Sequence, residues 1–184
     1  MSNIYEISGS GLRLTITGAR DVKVNDIHGT IGMLDELAEG VKYQLFDAGK
    51  VAGPNHIYYA ATNADYAMGN GINISNNLNV ETLLYAACEN QINKAIEFLG
   101  VSKTTETLAV AIFSEKDENR LAEDIAAHLG TVDDSVLEIT PEKYESIKGL
   151  YEITETAIET VGSDRNEALT SLIAEKGALL SLRR

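Results

Sequence analysis

The chain has 184 residues, 44% of them hydrophobic: enough for one well-buried core, and short for two domains. A formal charge of −13 argues against unaided nucleic-acid binding, and DNA is not an expected partner. A single cysteine, Cys88, excludes an internal disulfide and fits a reducing, cytoplasmic setting.

The chain opens without a basic and apolar leader pattern, and no apolar run approaches the ~20 residues of a membrane span, so no membrane association is expected. Residues 4–7 and 12–16 read as strands joined by Ser8-Gly9-Ser10-Gly11, and residues 1–25 read as peripheral to the domain. Thr30 is placed to cap a helix through Ile31, Met33, Leu34 and Leu37, closed by Gly40. Residues 41–46 form a short strand. Gly53-Pro54-Asn55 then starts a helix carrying His56, Ile57 and alanines 60, 61, 64 and 67. Residues 70–79 are an asparagine-rich connection with a short extended piece at 72–74.

Residues 78–100 organise the rest. Val80, Leu83, Leu84 and Ala87 stand at i, i+3, i+4 and i+7, an apolar stripe that only a helix puts on one face. Glu89-Asn90 interrupts it, and a second stripe follows at Ile92, Ala95, Ile96 and Leu99, stopped by Gly100. The simpler reading is a helical hairpin or a kinked helix that fills the core. The sharper one notes that Glu89, Asn90, Gln91 and Asn93 cluster at a helix start, where unpaired N–H groups bind anions such as phosphates.

Residues 108–113 are a continuous apolar run suited to a strand buried on both faces. An amphipathic helix spans 115–129, and residues 136–139 are short and strand-like. Thr140-Pro141 starts a further helix, with Thr140 as N-cap. The last helix covers 165–182 and uses Leu169, Leu172, Ile173, Leu179 and Leu180. Charge is concentrated: residues 115–159 hold 13 acids against 4 bases, whereas the first 105 hold 11 against 7. A polyanion must therefore meet the N-terminal part. The acidic segment is a solvated surface or faces a basic protein.

Chemistry-bearing patterns are scarce. There is no GxxxxGK[ST] phosphate loop, and Gly69-Asn70-Gly71 lacks the frame of a dinucleotide site. His28, His56 and His128 have no metal-ligand spacing, so no metal site is expected. Cys88 has acidic Glu89 beside it rather than a base, so a buried structural cysteine is expected. Asp133-Asp134 reads as a pair of solvated turn acids, and no Ser–His–Asp motif occurs. The residues by themselves describe an α/β-type domain with no catalytic residue and no cofactor.

A resemblance goes further. The stretch ACENQINKAIEFLGV, from Ala87 to Val101, resembles a segment of the TPRKB-like family, the kinase-binding small subunit of the KEOPS complex. Other blocks follow in the family's order: YQLFDA at 43–48, ETLLYA at 81–86, DDSVLEIT at 133–140 and the apolar helix at 173–182. The likeness covers about residues 43–184. It implies an α+β fold in one domain, a mixed or antiparallel sheet with several helices packed against it. It also implies a non-enzymatic subunit that docks on the complex's atypical kinase/ATPase and promotes N6-threonylcarbamoyladenosine modification of tRNA. In archaeal members the subunit grips the tRNA 3′ CCA end.

Carried onto this chain, the tRNA contact falls at Asn90, Gln91, Ile92, Asn93 and Lys94, with Ile92 as a stacking platform and the amides as edge readers. The kinase-docking surface falls on the last helix at Leu169, Leu172, Ile173, Leu179 and Leu180, more apolar residues than one stripe hides. The competing expectation is that Ile92 and these leucines all serve the core. The alternative function is a small-molecule enzyme with a site near His56.

Overall fold

Alternating apolar strands are organised around one antiparallel sheet in the computed structural model, which describes residues 2–162 and 164–182. Its strands are β1 (Asn3–Glu6), β2 (Arg13–Arg20), β3 (Lys42–Asp47), β4 (Leu108–Ser114) and β5 (Thr131–Val132). The order is β1-β2-β4-β3, with β5 paired to β2 beyond the end of β1. Strands β2 and β4 form the inner ladder, from Arg13 opposite Ser114 to Ala19 opposite Leu108. The six residues of β2 from Leu14 to Ala19 are all buried. Of the two N-terminal strands, β2 is thus as central as β4, while β1 is an edge strand with no buried residue.

Strand β4 fixes what lies on either side, because successive side chains leave a strand on opposite faces. Ala109, Ala111 and Phe113 join one core, and Leu108, Val110 and Ile112 join the other. Over the second face lie α1 (Ile27–Ala38) and α5 (Asn119–Leu129), through Leu34, Ala122, Ile125 and Leu129. Against the alanine face pack α2 (Gly53–Gly69), α3 (Leu78–Ala87) and α4 (Ile92–Leu99). Small side chains on both α2 and the sheet bring that helix close. Outside this layer, α6 (Pro141–Leu150), α7 (Glu155–Val161) and α8 (Arg165–Ala178) build a third apolar cluster around Tyr144, Ile147, Tyr151, Ile158, Leu169 and Ile173. The fold is α+β, and its sheet is wholly antiparallel.

Several elements differ from the pattern in the sequence, among them the helix read over 115–129, which starts only at Asn119. Residues 136–139 are not a strand; a 3-10 turn covers Asp134–Leu137. The Asp133 carboxylate accepts from the Ser135 N–H at 3.0 Å, and the Asp134 carboxylate from the Gly18 N–H at 2.8 Å. An added Cβ on Gly18 would stand 2.6 Å from the Asp133 carbonyl, so glycine lets this turn lie flat on β2. Helix α1 starts one turn earlier than Thr30, because Asp26 is the N-cap, accepting from the Gly29 N–H at 3.2 Å. Thr140 caps α6 as its position requires, accepting from the Lys143 N–H at 3.2 Å. The last helix keeps α-geometry only to Ala178, and Leu179–Leu182 tighten into a 3-10 turn.

Candidate functional site

The central stretch is two helices rather than one kinked helix. Helix α3 ends at Cys88, which takes a left-handed conformation at φ 55°, and α4 restarts at Ile92. In α3 the seven residues from Glu81 to Ala87 are buried without interruption. Glu81 is fully buried, and its carboxylate accepts from the Ile74 N–H at 3.0 Å and the Ser75 N–H at 2.7 Å. A buried carboxylate thereby satisfies loop donors that no strand pairs with.

Helix α4 behaves differently. Ala95 and Leu99 face inward, while Ile92 is 38% and Ile96 49% exposed. At i and i+4 the two isoleucines adjoin, making an apolar ridge on the outside of the helix. Asn90, Gln91, Asn93 and Lys94 are exposed beside them. The N-cap residue Gln91 supplies no side-chain cap, so the first N–H groups of α4 have no side-chain acceptor at that position. Ile92 is a surface residue, against the expectation that it fills the core.

The last helix divides. Leu169, Ile173 and Leu180 are buried at 0%, 0% and 1% exposure and hold α8 to the body. Of the five apolar candidates, only Leu172, half-buried, and Leu179, at 41%, reach the surface. The packing reason is a close approach to α3: an added Cβ on Gly177 would lie 2.6 Å from the Tyr85 carbonyl, and the Cys88 thiol donates to the Ile173 carbonyl at 3.6 Å. Helix α8 thus packs against the end of α3, at the turn into α4. Cys88 packs against α8 but is half-buried, not the fully buried cysteine expected from the sequence.

His56 is 1% exposed and has both ring nitrogens engaged. Its Nδ1 accepts from the Ala52 N–H at 3.1 Å, leaving Nε2 to donate to the Ala86 carbonyl at 3.0 Å. Tyr151 donates to the same carbonyl at 3.0 Å and meets the imidazole edge-on, 5.5 Å between centroids. Burial drives the His56 pKa down to about 4; the Ala86 hydrogen bond opposes this, and the Lys143 charge adds to it. Lys143, itself pulled down to about 8 by burial with Asp47 opposing, donates to the Val136 carbonyl at 2.8 Å. Buried and with both ring nitrogens bonded, this histidine ties α2 to α3 and meets Tyr151 at the end of α6. The enzyme alternative, placed near His56, meets an imidazole closed off from solvent there.

Among the described residues, no group of three His, Cys, Asp or Glu is placed to hold a metal ion, and no helix is long and apolar enough to cross a membrane. A groove of about 550 Å³ runs along β3, between α1 and the α3–α4 pair. Its walls are Ile27 and Ile31 on one side and Val80, Ile96 and Val101 on the other. Residues 42–45 of β3 form its floor. Tyr43 crosses this region, donating to the Asp35 carboxylate at 2.8 Å, and burial with that bond raises its pKa far above the phenolic range. Nothing in the apolar spacing of the sequence points to the groove, since it arises where two helices flank a sheet edge.

The fold thus presents a buried framework, an exposed isoleucine ridge and a groove beside an edge strand. The family model of the kinase-binding protein CGI-121 matches residues 22–179. The chain belongs to this family. No curated protein matches the chain. The matched span starts beyond β2 and takes in the whole groove, the α4 ridge and α8.

Proposed function

We propose that this chain is a non-catalytic subunit of the KEOPS complex. In this reading it docks on the atypical kinase/ATPase, promotes N6-threonylcarbamoyladenosine modification of tRNA and grips the tRNA 3′ CCA end. The observation that carries the reading is membership of the kinase-binding family over residues 22–179. The ordered blocks quoted from the sequence support the assignment to that complex. The RNA part is supported by the start of α4: uncapped N–H groups for a phosphate, Lys94 as a cation, Ile92 as an exposed platform and Gln91 and Asn93 as amide readers. With a charge of −13 on the chain, long-range attraction adds little, so the other subunits supply most phosphate contacts.

Reconstitution tests this directly. Added to the kinase/ATPase and the remaining subunits, the chain raises threonylcarbamoyladenosine formation on tRNA, and alone it hydrolyses no ATP. ATPase activity that stays with the isolated chain through repurification would overturn the non-catalytic assignment. Removing CCA weakens tRNA binding, and Ile92→Glu reproduces that loss on intact tRNA. Equal binding of intact and CCA-less tRNA would take the RNA role away from this helix start.

A further inference from the structure

Resting on the kinase-docking part of that reading, we propose that the β3 groove receives an extended segment of the kinase as an added strand of the sheet. Three features of this chain converge on that occupant. The first is the sheet edge. The strand order ends at β3, which pairs with β4 on one side and, among the described residues, with no strand on the other. On that side the Tyr43 carbonyl accepts from the Asn79 side-chain amide at 3.0 Å, and the Leu45 carbonyl from the Gln44 amide at 3.1 Å. In an antiparallel strand a residue's N–H and C=O point the same way, so Tyr43 and Leu45 direct both groups into the groove. What complements such a row is another extended backbone.

The second feature is the quality of the present cover. Exposed edges are blunted in folded proteins, here by two side-chain amides rather than by a strand. The Asn79 cap is imperfect, because its Oδ1 is buried with no hydrogen-bond partner. A strand that displaced the Asn79 amide would bond the Tyr43 carbonyl and release that oxygen to water, so the exchange removes a buried defect. The third feature is the walls. Helix α1 fully buries only Leu34 and Ala38 and leaves Ile31 42% exposed, and Ile96 stands 49% exposed across the groove. A strand lying between them would cover both isoleucines with its alternating side chains.

The groove also lies wholly inside the matched span, from Val24 to Val101, whereas Leu180 and Leu182 fall beyond it. A property carried by the family model is thus better sought at the groove than at the end of the chain. Among the five apolar candidates on the last helix, only Leu172 and Leu179 compete for the role.

The test measures binding of the full chain to the purified kinase subunit, with hydrogen exchange as a second readout. Ile31→Glu and Ile96→Glu each weaken binding at least tenfold while melting at the wild-type temperature, and Leu179→Glu binds normally. In the wild-type complex, amide exchange at Tyr43 and Leu45 slows, as edge donors gain partners. Groove variants that bind like wild type, with binding lost in Leu179→Glu instead, would move the kinase to α8 and overturn the proposal. Groove variants that lose binding without slower exchange at those two amides overturn strand addition. If the wild-type chain binds no kinase at all, the functional reading itself fails and takes the groove assignment with it.

Discussion

Helices α3 and α4 carry the same apolar spacing, follow one another after four residues, and meet opposite fates. Every residue of α3 from Glu81 to Ala87 is buried, polar ones included, while α4 sinks Ala95 and Leu99 and leaves two isoleucines outside. Periodicity states that a helix has a sticky face; it does not state whether the protein supplies a surface to match it. For α3 that surface exists on two sides, from α2 and α8. For α4 it exists on one, and the isoleucine ridge on the other stays exposed.

The contrast breaks most sharply at Glu81. Truncation in Glu81→Ala leaves the Ile74 and Ser75 donors buried beside a cavity, and should cost about 3 kcal/mol. For a chain of this size that lowers the melting temperature by roughly 6–12 °C. A loss below about 1 kcal/mol in urea denaturation would mean that the loop at 74–75 does not depend on the carboxylate.

Acid should act on the same framework through His56, whose ring bonds the last turn of α3. Its folded pKa of about 4 lies below the unfolded value, so the unfolded chain takes up the proton first. The stability contributed by the neutral ring is complete above about pH 6.5 and declines as pH falls toward 4, by about 3 kcal/mol in all. Denaturation series between pH 7 and 4.5 on wild type and His56→Gln isolate this contribution. Parallel pH curves for the two proteins would remove His56 as the cause, whatever their absolute stabilities.

The smallest effect is expected on α4. Because Ile92 is 38% exposed, Ile92→Glu should change stability by no more than about 0.5 kcal/mol, measured by the same denaturation. A drop of 2 kcal/mol or more would show that Ile92 packs in solution and that the two helices differ less than their burial indicates.

Much of this was legible in the residues. The break at Glu89-Asn90, the buried run at 108–113 and the Thr140-Pro141 start depend on neighbours along the chain, and local chemistry reports them faithfully. The centrality of β2 was not legible, because its partner β4 lies far along the sequence. The 3-10 turn at Asp134–Leu137 hides behind strand-forming valine and leucine and is decided by Gly18, a remote contact. Helix α7 carried a usable cue in Thr154, which accepts from the Ala157 N–H at 3.2 Å, yet its short apolar pattern did not declare a helix. At the candidate sites the sequence located the exposed start of α4. It could not separate the leucines that hold α8 to the body from those that face outward, since both sets share one helix. The groove was invisible for a deeper reason: it belongs to no single segment.

The long reach of the β2–β4 ladder governs how the protein is born. Leu14 must find Phe113, and Ile16 must find Ala111. Ribosomes add about 5–20 residues per second, so β2 waits several seconds for its inner neighbour to emerge. During that wait β1 can pair with one side of β2, forming a nascent hairpin whose other side is an apolar template open to passing chains. Chaperones that shield nascent extended segments should therefore act on this protein before the β4 segment leaves the ribosome, and synthesis stalled short of residue 108 should yield aggregates rather than a folded fragment.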